Sequence, residues 1–469
     1  MTYQQNALPK LPHNWVWSEI SDLCDVQTGP FGTQLHKTDY TPSGIQVIEI
    51  GDVHPNRNLA EGAAHFVSKE KAKQLTRYEV QSGDVLFTRV GTVGRCTKVP
   101  STCNGWLMST SLIRVRPQLE DQVLSSFLLY YFWSPIAQSF AKASSKGTTR
   151  AGTNSTIVEK LPLALAPANE QKRIVSKIEE LFSFLDAGTT SLRKVQVQLK
   201  RYRQAVLKYA FGGKLTEEWR KTHNSLVKSA SETNSDHSLP PEWVLKPLDE
   251  IAEIQMGQSP PGSSYGSSCQ GYPLLNGPTE FGIDHPNPKQ WTNKPTRVCR
   301  KGDLLICVRG NTTGRMNWAD QEYCIGRGLA SITPFAKIAK FSFVYYFLLK
   351  EVNEIMRRTT GSTFPNLKSS ELKNFELPLP PYSEQDIIVQ RVERSFSIAY
   401  NTEKTLQTVL LQANSLRQRI LRNAFEGKLV PQDSADEPAE KLLSRIRTER
   451  FKNVKSEIDN QLELSRYVK

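Results

Sequence analysis

The stretch RQAVLKYAFGGKL, from Arg203 to Leu215, is written a second time as RQRILRNAFEGKL, from Arg417 to Leu429. The copy reaches well upstream. LALAPANEQKRIVSKIEELF (Leu163 to Phe182) is matched by LPLPPYSEQDIIVQRVERSF (Leu377 to Phe396), and an offset of 214 positions holds without a gap from Leu163 to Leu215. About two residues in five are identical between Glu170 and Leu215 and their counterparts, far above chance for unrelated helices. Weaker matches run through the rest of the chain. LPHNWVWSEISDLCDVQTG (Leu11 to Gly29) pairs with LPPEWVLKPLDEIAEIQMG (Leu239 to Gly257), and SGDVLFTRVGTVGR (Ser82 to Arg95) with KGDLLICVRGNTTGR (Lys301 to Arg315), one residue longer. A chain duplicated in this way must fold as two equivalent halves, each a globular block followed by a long helix.

The expected division is a first block over 1–160, a first long helix over 161–221, a linker over 222–238, a second block over 239–374, a second long helix over 375–430, and a charged helical tail over 431–469. Pro167 and Asn169 mark the start of the first helix. Its apolar positions Ile174, Ile178, Leu181, Leu185, Leu192, Val195, Leu199, Tyr202 and Val206 follow a heptad seam, so it requires a partner helix. The copy offers a smaller, more polar seam: Ile388, Val392, Ser395, Ala399, Thr402, Leu406, Val409, Ala413, Leu416 and Ile420. With Ile174 beside Ile420 in an antiparallel pair, large residues repeatedly face small ones. A parallel pair gives some such matches too. The antiparallel arrangement is expected because it relates the halves by a two-fold axis. The fold class read from the sequence is therefore α+β: two mixed blocks separated by two long helices in an intramolecular antiparallel coiled coil with pseudo-two-fold symmetry. At about 1.5 Å per residue such helices make a rod of roughly 60 Å.

Chemistry is hard to find. There is no G-x-x-x-x-G-K-[ST], G-x-G-x-x-G or H-E-x-x-H, and the histidines show no ligand spacing. No C-x-x-C pair occurs among the seven cysteines, which read as free thiols rather than a disulfide frame or zinc site. Glu170, in NEQKR, reads as helix N-terminal chemistry rather than a nuclease fragment. The longest apolar run, FSFVYYFLL, is too short to cross a bilayer, which points to a cytoplasmic protein with no membrane partner.

Binding is better supported. The net charge of +13 suggests a polyanionic partner. Loops rich in Gly and Thr carry isolated basic residues suited to phosphates or base edges. The candidates for DNA contact in the first block are Arg89, Thr92, Arg95, Lys146, Thr148, Arg150 and Asn154. In the second block they are Arg309, Asn311, Thr312, Thr313, Arg315, Arg357, Arg358, Thr359, Thr363 and Asn366.

Two different blocks alternate with two closely matching helices. Each helix is preceded by P-x-x-E-Q and ends in F-x-G-K-L, the first continuing as GKLTEEWR. This pattern, over nearly the whole chain, resembles the specificity subunit of type I restriction–modification enzymes. The resemblance implies that each block is a target recognition domain reading one half of a split, asymmetric site in double-stranded DNA. It implies that the helices fix the gap between the halves and dock two modification (methyltransferase) subunits, with two restriction subunits joining the complex. It also implies that the chain is not an enzyme and holds no cofactor. S-adenosylmethionine would belong to the modification subunits, and ATP with Mg2+ to the restriction subunits. The absence of an N-P-P-[FY] motif agrees, since LPPY at Leu379 lacks the asparagine. The matched positions Arg203 and Arg417, Gln204 and Gln418, Phe211 and Phe425, and Lys214 and Lys428 are the candidates for modification-subunit contact. The rival readings are a stand-alone DNA-modifying or DNA-cleaving enzyme with an unrecognised site, and a coiled-coil scaffold that binds DNA without sequence preference.

Overall fold

The structure, a computed structural model, describes residues 8–449 apart from 33, 55–58, 60, 61, 63, 64, 90–94, 119–121, 145–152, 224–238, 311 and 359–365. The chain divides into two compact units, Met1–Ser191 with Val409–Lys469, and Leu192–Thr408. The two long helices, Ala168–Phe211 and Tyr382–Phe425, are 44 residues each, and the division cuts through both.

In the first unit, an antiparallel sheet has the strand order Cys24–Thr28, Leu112–Pro117, Val85–Thr88, Cys96–Lys98. A second sheet has the order Tyr40–Thr41, His65–Val67, Ile45–Ile48, Leu107–Met108, its last pair parallel. The segment VLFT is buried at every position because its strand is covered on both faces. Val85 and Phe87 point into a core with helix Gln122–Trp133, whereas Leu86 joins a separate core with the second sheet. A ribbon of Val16–Glu19 with Pro162–Leu165 ties the start of the block to its end.

The second unit repeats this plan. Its first sheet runs Ala252–Met256, Leu329–Pro334, Leu304–Cys307, Met316–Trp318. Its second runs Tyr265–Gly266, Gln290–Thr292, Tyr272–Leu275, Tyr323–Ile325, with Val298–Cys299 added at the edge. Again the equivalent pair, here Tyr272–Leu275 with Tyr323–Ile325, is parallel, and the ribbon is Val244–Pro247 with Glu376–Leu379. Leu304 and Ile306 meet helix Phe341–Arg358, while Leu305 and Cys307 face the second sheet.

Each unit also contains the first part of one long helix and the last part of the other, running antiparallel. In the first unit Glu170 meets Gln432, while Phe182 and Asp186, further along, meet Arg417. In the second, Glu384 meets Arg220, Arg391 meets the Leu215 carbonyl, and Glu403 meets Arg203. The direction is as expected, but the register is not. Ile174 opposite Ile420 would set Arg417 beside Lys177, more than a turn short of its observed neighbours Phe182 and Asp186.

The seam also moves by one residue. Tyr202 and Leu416, expected inside, are each 43% exposed, and Val409 faces out too. The next residues turn inward instead: Arg203 pairs with Glu403 at 2.9 Å, and Arg417 pairs with Asp186 while lying over the Phe182 ring. The cause is geometric. A straight helix drifts about 20° per heptad against a seven-residue repeat, so four heptads beyond Ile174 the inward face has moved by nearly one residue.

The repeated motifs meet at one junction in each unit. Phe425 is fully buried, edge-on to Phe127 and Tyr131 at 5.1 and 5.2 Å, and Phe211 lies tilted against Phe343 at 5.2 Å and edge-on to Phe347 at 5.6 Å. Aromatic pairs of this kind add about 0.5–1.5 kcal/mol each beyond their burial. The helices then stop at Gly213 and Gly427, in left-handed conformation with φ of 73° and 67°. A Cβ there would meet Pro240 Cγ at 2.3 Å and Pro12 Cγ at 2.2 Å, so F-x-G-K-L closes onto the LPxxW that opens a block. Trp15 Nε1 donates to Glu170 at 2.9 Å, and Trp243 Nε1 donates to Glu384 at 3.1 Å. P-x-x-E-Q is the third part of the same clamp. Gln171 Nε2 donates to the Ala166 carbonyl, and Gln385 Nε2 to that of Ile338.

Beyond the second clamp, helix 439–449 packs on the first unit's core through Leu443 and Ile446. The Ala439 amide donates to the Asn14 carbonyl, and Arg173 pairs with Asp436 at 2.6 Å, holding that carboxyl below its usual range.

Candidate nucleic-acid interface

Three segments converge at the same place in each block: the loop after the central strand, the bend joining the two sheets, and the approach to the helix before the long one. Four backbone bonds fix them in the first block. Gly29 donates to Leu112, Thr88 to Arg95, Arg89 to Ser111, and Thr153 to Arg89, at 3.0, 2.8, 2.9 and 2.9 Å. The second block has the same four: Gly257 to Leu329, Cys307 to Arg315, Val308 to Gly328, and Leu367 to Val308, at 2.9, 2.8, 2.9 and 2.9 Å. This framework makes Arg95 and Arg315 equivalent. It matches Arg89 to Val308, so Arg309 lies one residue beyond.

The side chains expected to contact DNA fall into three groups. Arg95 and Arg309 have guanidinium groups with no partner among the described residues, and Arg309 is exposed. Arg89 lies 6.0 Å from the ring of exposed Phe31, and Thr312 and Asn366 are exposed. A second group is committed to the protein. Arg315 donates to the carbonyls of Pro278 and Phe281, both at 3.1 Å, and ties the neighbouring loop. Thr313 is buried with its hydroxyl on the Gly310 carbonyl at 2.7 Å, so it shapes the turn and is not free to read a base. The Asn154 side chain accepts from the Ile157 amide at 2.9 Å, capping helix Ser155–Glu159. The third group lies outside the described residues: Thr92, Lys146, Thr148, Arg150, Asn311, Thr359 and Thr363. Arg357 and Arg358 end helix Phe341–Arg358.

Sequence reasoning missed three features. Arg327 stands exposed at the bend of the second block, its guanidinium unpartnered among the described residues; the signal was the G-R-G of YCIGRGLA. Phe31 is exposed beside Arg89. A cleft of about 560 Å³ opens beside the bend of the first block, between Lys37, Tyr40, Glu49, His65 and Ser109–Ser111. Tyr40 donates to Glu49 across it at 2.6 Å.

The residues expected to contact a partner need one correction. Phe211 and Phe425 are 3% and 0% exposed and belong to the cores, so neither can present a docking surface. Arg203 and Arg417 are engaged between the helices, while Gln204 and Gln418 are half-buried beside them and Lys214 and Lys428 are exposed. Large apolar side chains are exposed elsewhere on the long helices, at matched positions: Phe184 and Ile398, Val197 and Leu411, and Tyr202 and Leu416.

Among the described residues no group of His, Cys, Asp and Glu could hold a metal ion, and no helix is long and apolar enough to cross a membrane.

The family model for the type I restriction modification DNA specificity domain matches the chain twice, over residues 12–196 and 240–412. The type I restriction enzyme EcoBI specificity subunit of Escherichia coli is 29% identical over 466 residues, covering 95% of this chain and 94% of its own. A chain in a solved structure reported for complex assembly and conformational transition of the type I R-M system is 26% identical with a TM-score of 0.71, covering 90% of this chain and 100% of its own. The HsdS subunit from Thermoanaerobacter tengcongensis, solved by crystallography, is 26% identical with a TM-score of 0.56, covering 91% and 100%.

Proposed function

Because the chain belongs to the type I restriction–modification DNA specificity family and is a specificity subunit with two target recognition domains, we propose that each domain reads one half of a split, asymmetric duplex target. The observation that carries this reading is the pair of identical backbone frameworks bearing different side chains. The domains present Arg89, Phe31 and a hydroxyl-rich bend in one case, and Arg309 and Arg327 in the other. Equivalent scaffolds with different chemistry suit two independent readers. The long helices set the gap between half-sites. The chain itself performs no catalysis and acts in the cytoplasm. S-adenosylmethionine is held by modification subunits, and ATP with Mg2+ by restriction subunits.

The test exchanges residues 239–374 for the corresponding domain of another family member and reads the methylated motif of cells carrying the system. One half of the motif is expected to change while the other half and the gap stay fixed. A change in both halves would refute separate readers.

Two modification subunits dock on the long helices, at the two sets of exposed apolar residues. The first unit carries Phe184, Leu411 and Leu416, and the second carries Ile398, Val197 and Tyr202. A doubled surface suits two copies of one partner. Phe184→Asp or Ile398→Asp alone is expected to leave complexes with one modification subunit in native mass spectrometry, and the double variant none. Two subunits retained on the double variant would move the docking face elsewhere.

A further inference from the structure

The bend between the two sheets is built alike in both blocks. Ser109 and Gly326 each donate to the end of the parallel neighbour strand, at Ile48 and Leu275, at 3.0 and 2.7 Å. Each then accepts from the first residue of the next strand, Leu112 at 3.2 Å and Leu329 at 3.0 Å. Ser109, Thr110 and Ser111 therefore occupy the places of Gly326, Arg327 and Gly328.

In the second block the bend lies against Asn276. A Cβ at position 326 would come within 2.9 Å of Asn276 Oδ1, and one at 328 within 2.6 Å of its carbonyl oxygen. Side chains are thus excluded on both sides of Arg327, and the Arg327 amide is itself fixed by a 3.3 Å bond to Ser259 Oγ. A fixed backbone projects one long cationic side chain that meets no acceptor among the described residues. The same bend holds the end of the central strand through Val308 and Gly328, which places the bend beside the strand end that carries Arg309. In the first block the middle residue is Thr110, and its hydroxyl is spent on the Pro30 carbonyl at 2.6 Å. That bend offers no cation and no donor fork.

We propose that the middle residue of this bend is a specificity-determining position, and that Arg327 reads a guanine in the half-site of the second block while Thr110 denies the first block that contact. The inference rests on the reading of each block as a DNA reader and adds to it the residue and the base. A guanidinium fork matches guanine O6 and N7 in the major groove, an arrangement that neither lysine nor threonine reproduces with the same geometry.

The test uses the chain assembled with its modification subunits, and duplexes carrying every single base-pair change in the methylated motif. Arg327→Ala and Arg327→Lys are both expected to reduce discrimination at one G·C pair of the second half-site by about 10- to 100-fold, leaving the first half-site untouched. Arg327 is exposed and has no side-chain partner among the described residues, so both variants should melt like the parent chain. Thr110→Arg should add a guanine preference in the first half-site. The proposal is overturned if Arg327→Lys keeps full discrimination, or if Arg327→Ala weakens all sequences equally with a shallower salt dependence, the mark of a phosphate contact alone. It is equally overturned if the affected pair lies in the first half-site. An unmodified complex that shows no split preference at all would instead overturn the two-reader function beneath it.

Discussion

Replacing Glu384 with alanine is expected to destabilise the chain by about 3–5 kcal/mol. Its carboxylate is fully buried and joins three separate parts of the second unit. One oxygen accepts from Arg220 and from Thr216, both at 2.6 Å, and the other from Trp243 Nε1 at 3.1 Å. Its removal takes the counter-charge from a nearly buried guanidinium, which keeps the Gly213 carbonyl, and takes the carboxylate acceptor from the Thr216 hydroxyl and the Trp243 indole together. Glu170 holds the matching place in the first unit with neutral partners, Trp15 and Gln432. Burial there lifts the carboxyl above its ordinary value. A raised carboxyl contributes most below the ordinary carboxylate range, and its contribution is lost as pH rises through the raised value. Glu170→Gln should therefore cost only about 1 kcal/mol at neutral pH. It should also remove that part of the pH dependence. Glu384→Gln, which leaves Arg220 without its counter-charge, should cost several times more. Urea unfolding followed by tryptophan fluorescence gives both values, and equal losses for the two glutamines would contradict the assignment of Arg220.

Adding seven residues to both long helices, after Ser191 and after Thr408, is expected to abolish modification of the native target. Both helices are continuous through these points. At about 1.5 Å per residue the insertion adds some 10 Å, close to three base pairs at about 3.4 Å each. Seven residues keep the seam nearly in phase, so the helices can still pair. The proposed gap-setting role requires that any methylation that survives falls on the same half-sites, about three base pairs further apart. Native-site methylation at parental levels would exclude that role. An insertion in one helix alone should behave worse, since its added turns have no matching partner.

Much of this architecture was legible in the chain. The 214-position offset predicted two like blocks and two like helices; the seam called for a partner helix, and the antiparallel direction followed from relating the halves by a two-fold axis. The finer helix contacts were not legible, because strict heptad counting ignores the drift that exposes Tyr202 and Leu416 and turns Arg203 and Arg417 inward. Phe211 and Phe425 were misplaced for another reason. Their motif was visible, but the rings pack on Phe343 and Phe347 or on Phe127 and Tyr131, distant in sequence and supplied by the opposite repeat. Among the loops, composition identified the right segments without separating roles. Thr313 and Arg315 look as available as Arg309 until the carbonyls they serve are known. Arg327 escaped because a single arginine between glycines carries little signal until its bend is matched to Ser109–Ser111.

The crossed clamp has a consequence for synthesis on the ribosome. Every part of the second unit lies between Leu192 and Thr408, so it can close while translation is still under way. The first unit begins earlier but lacks Phe425, Gly427 and the helix at 439–449 until the second unit has been made in full. Domains made in sequence usually fold from the amino end forward. Here the order is reversed, and the half that is translated first is the last to be finished.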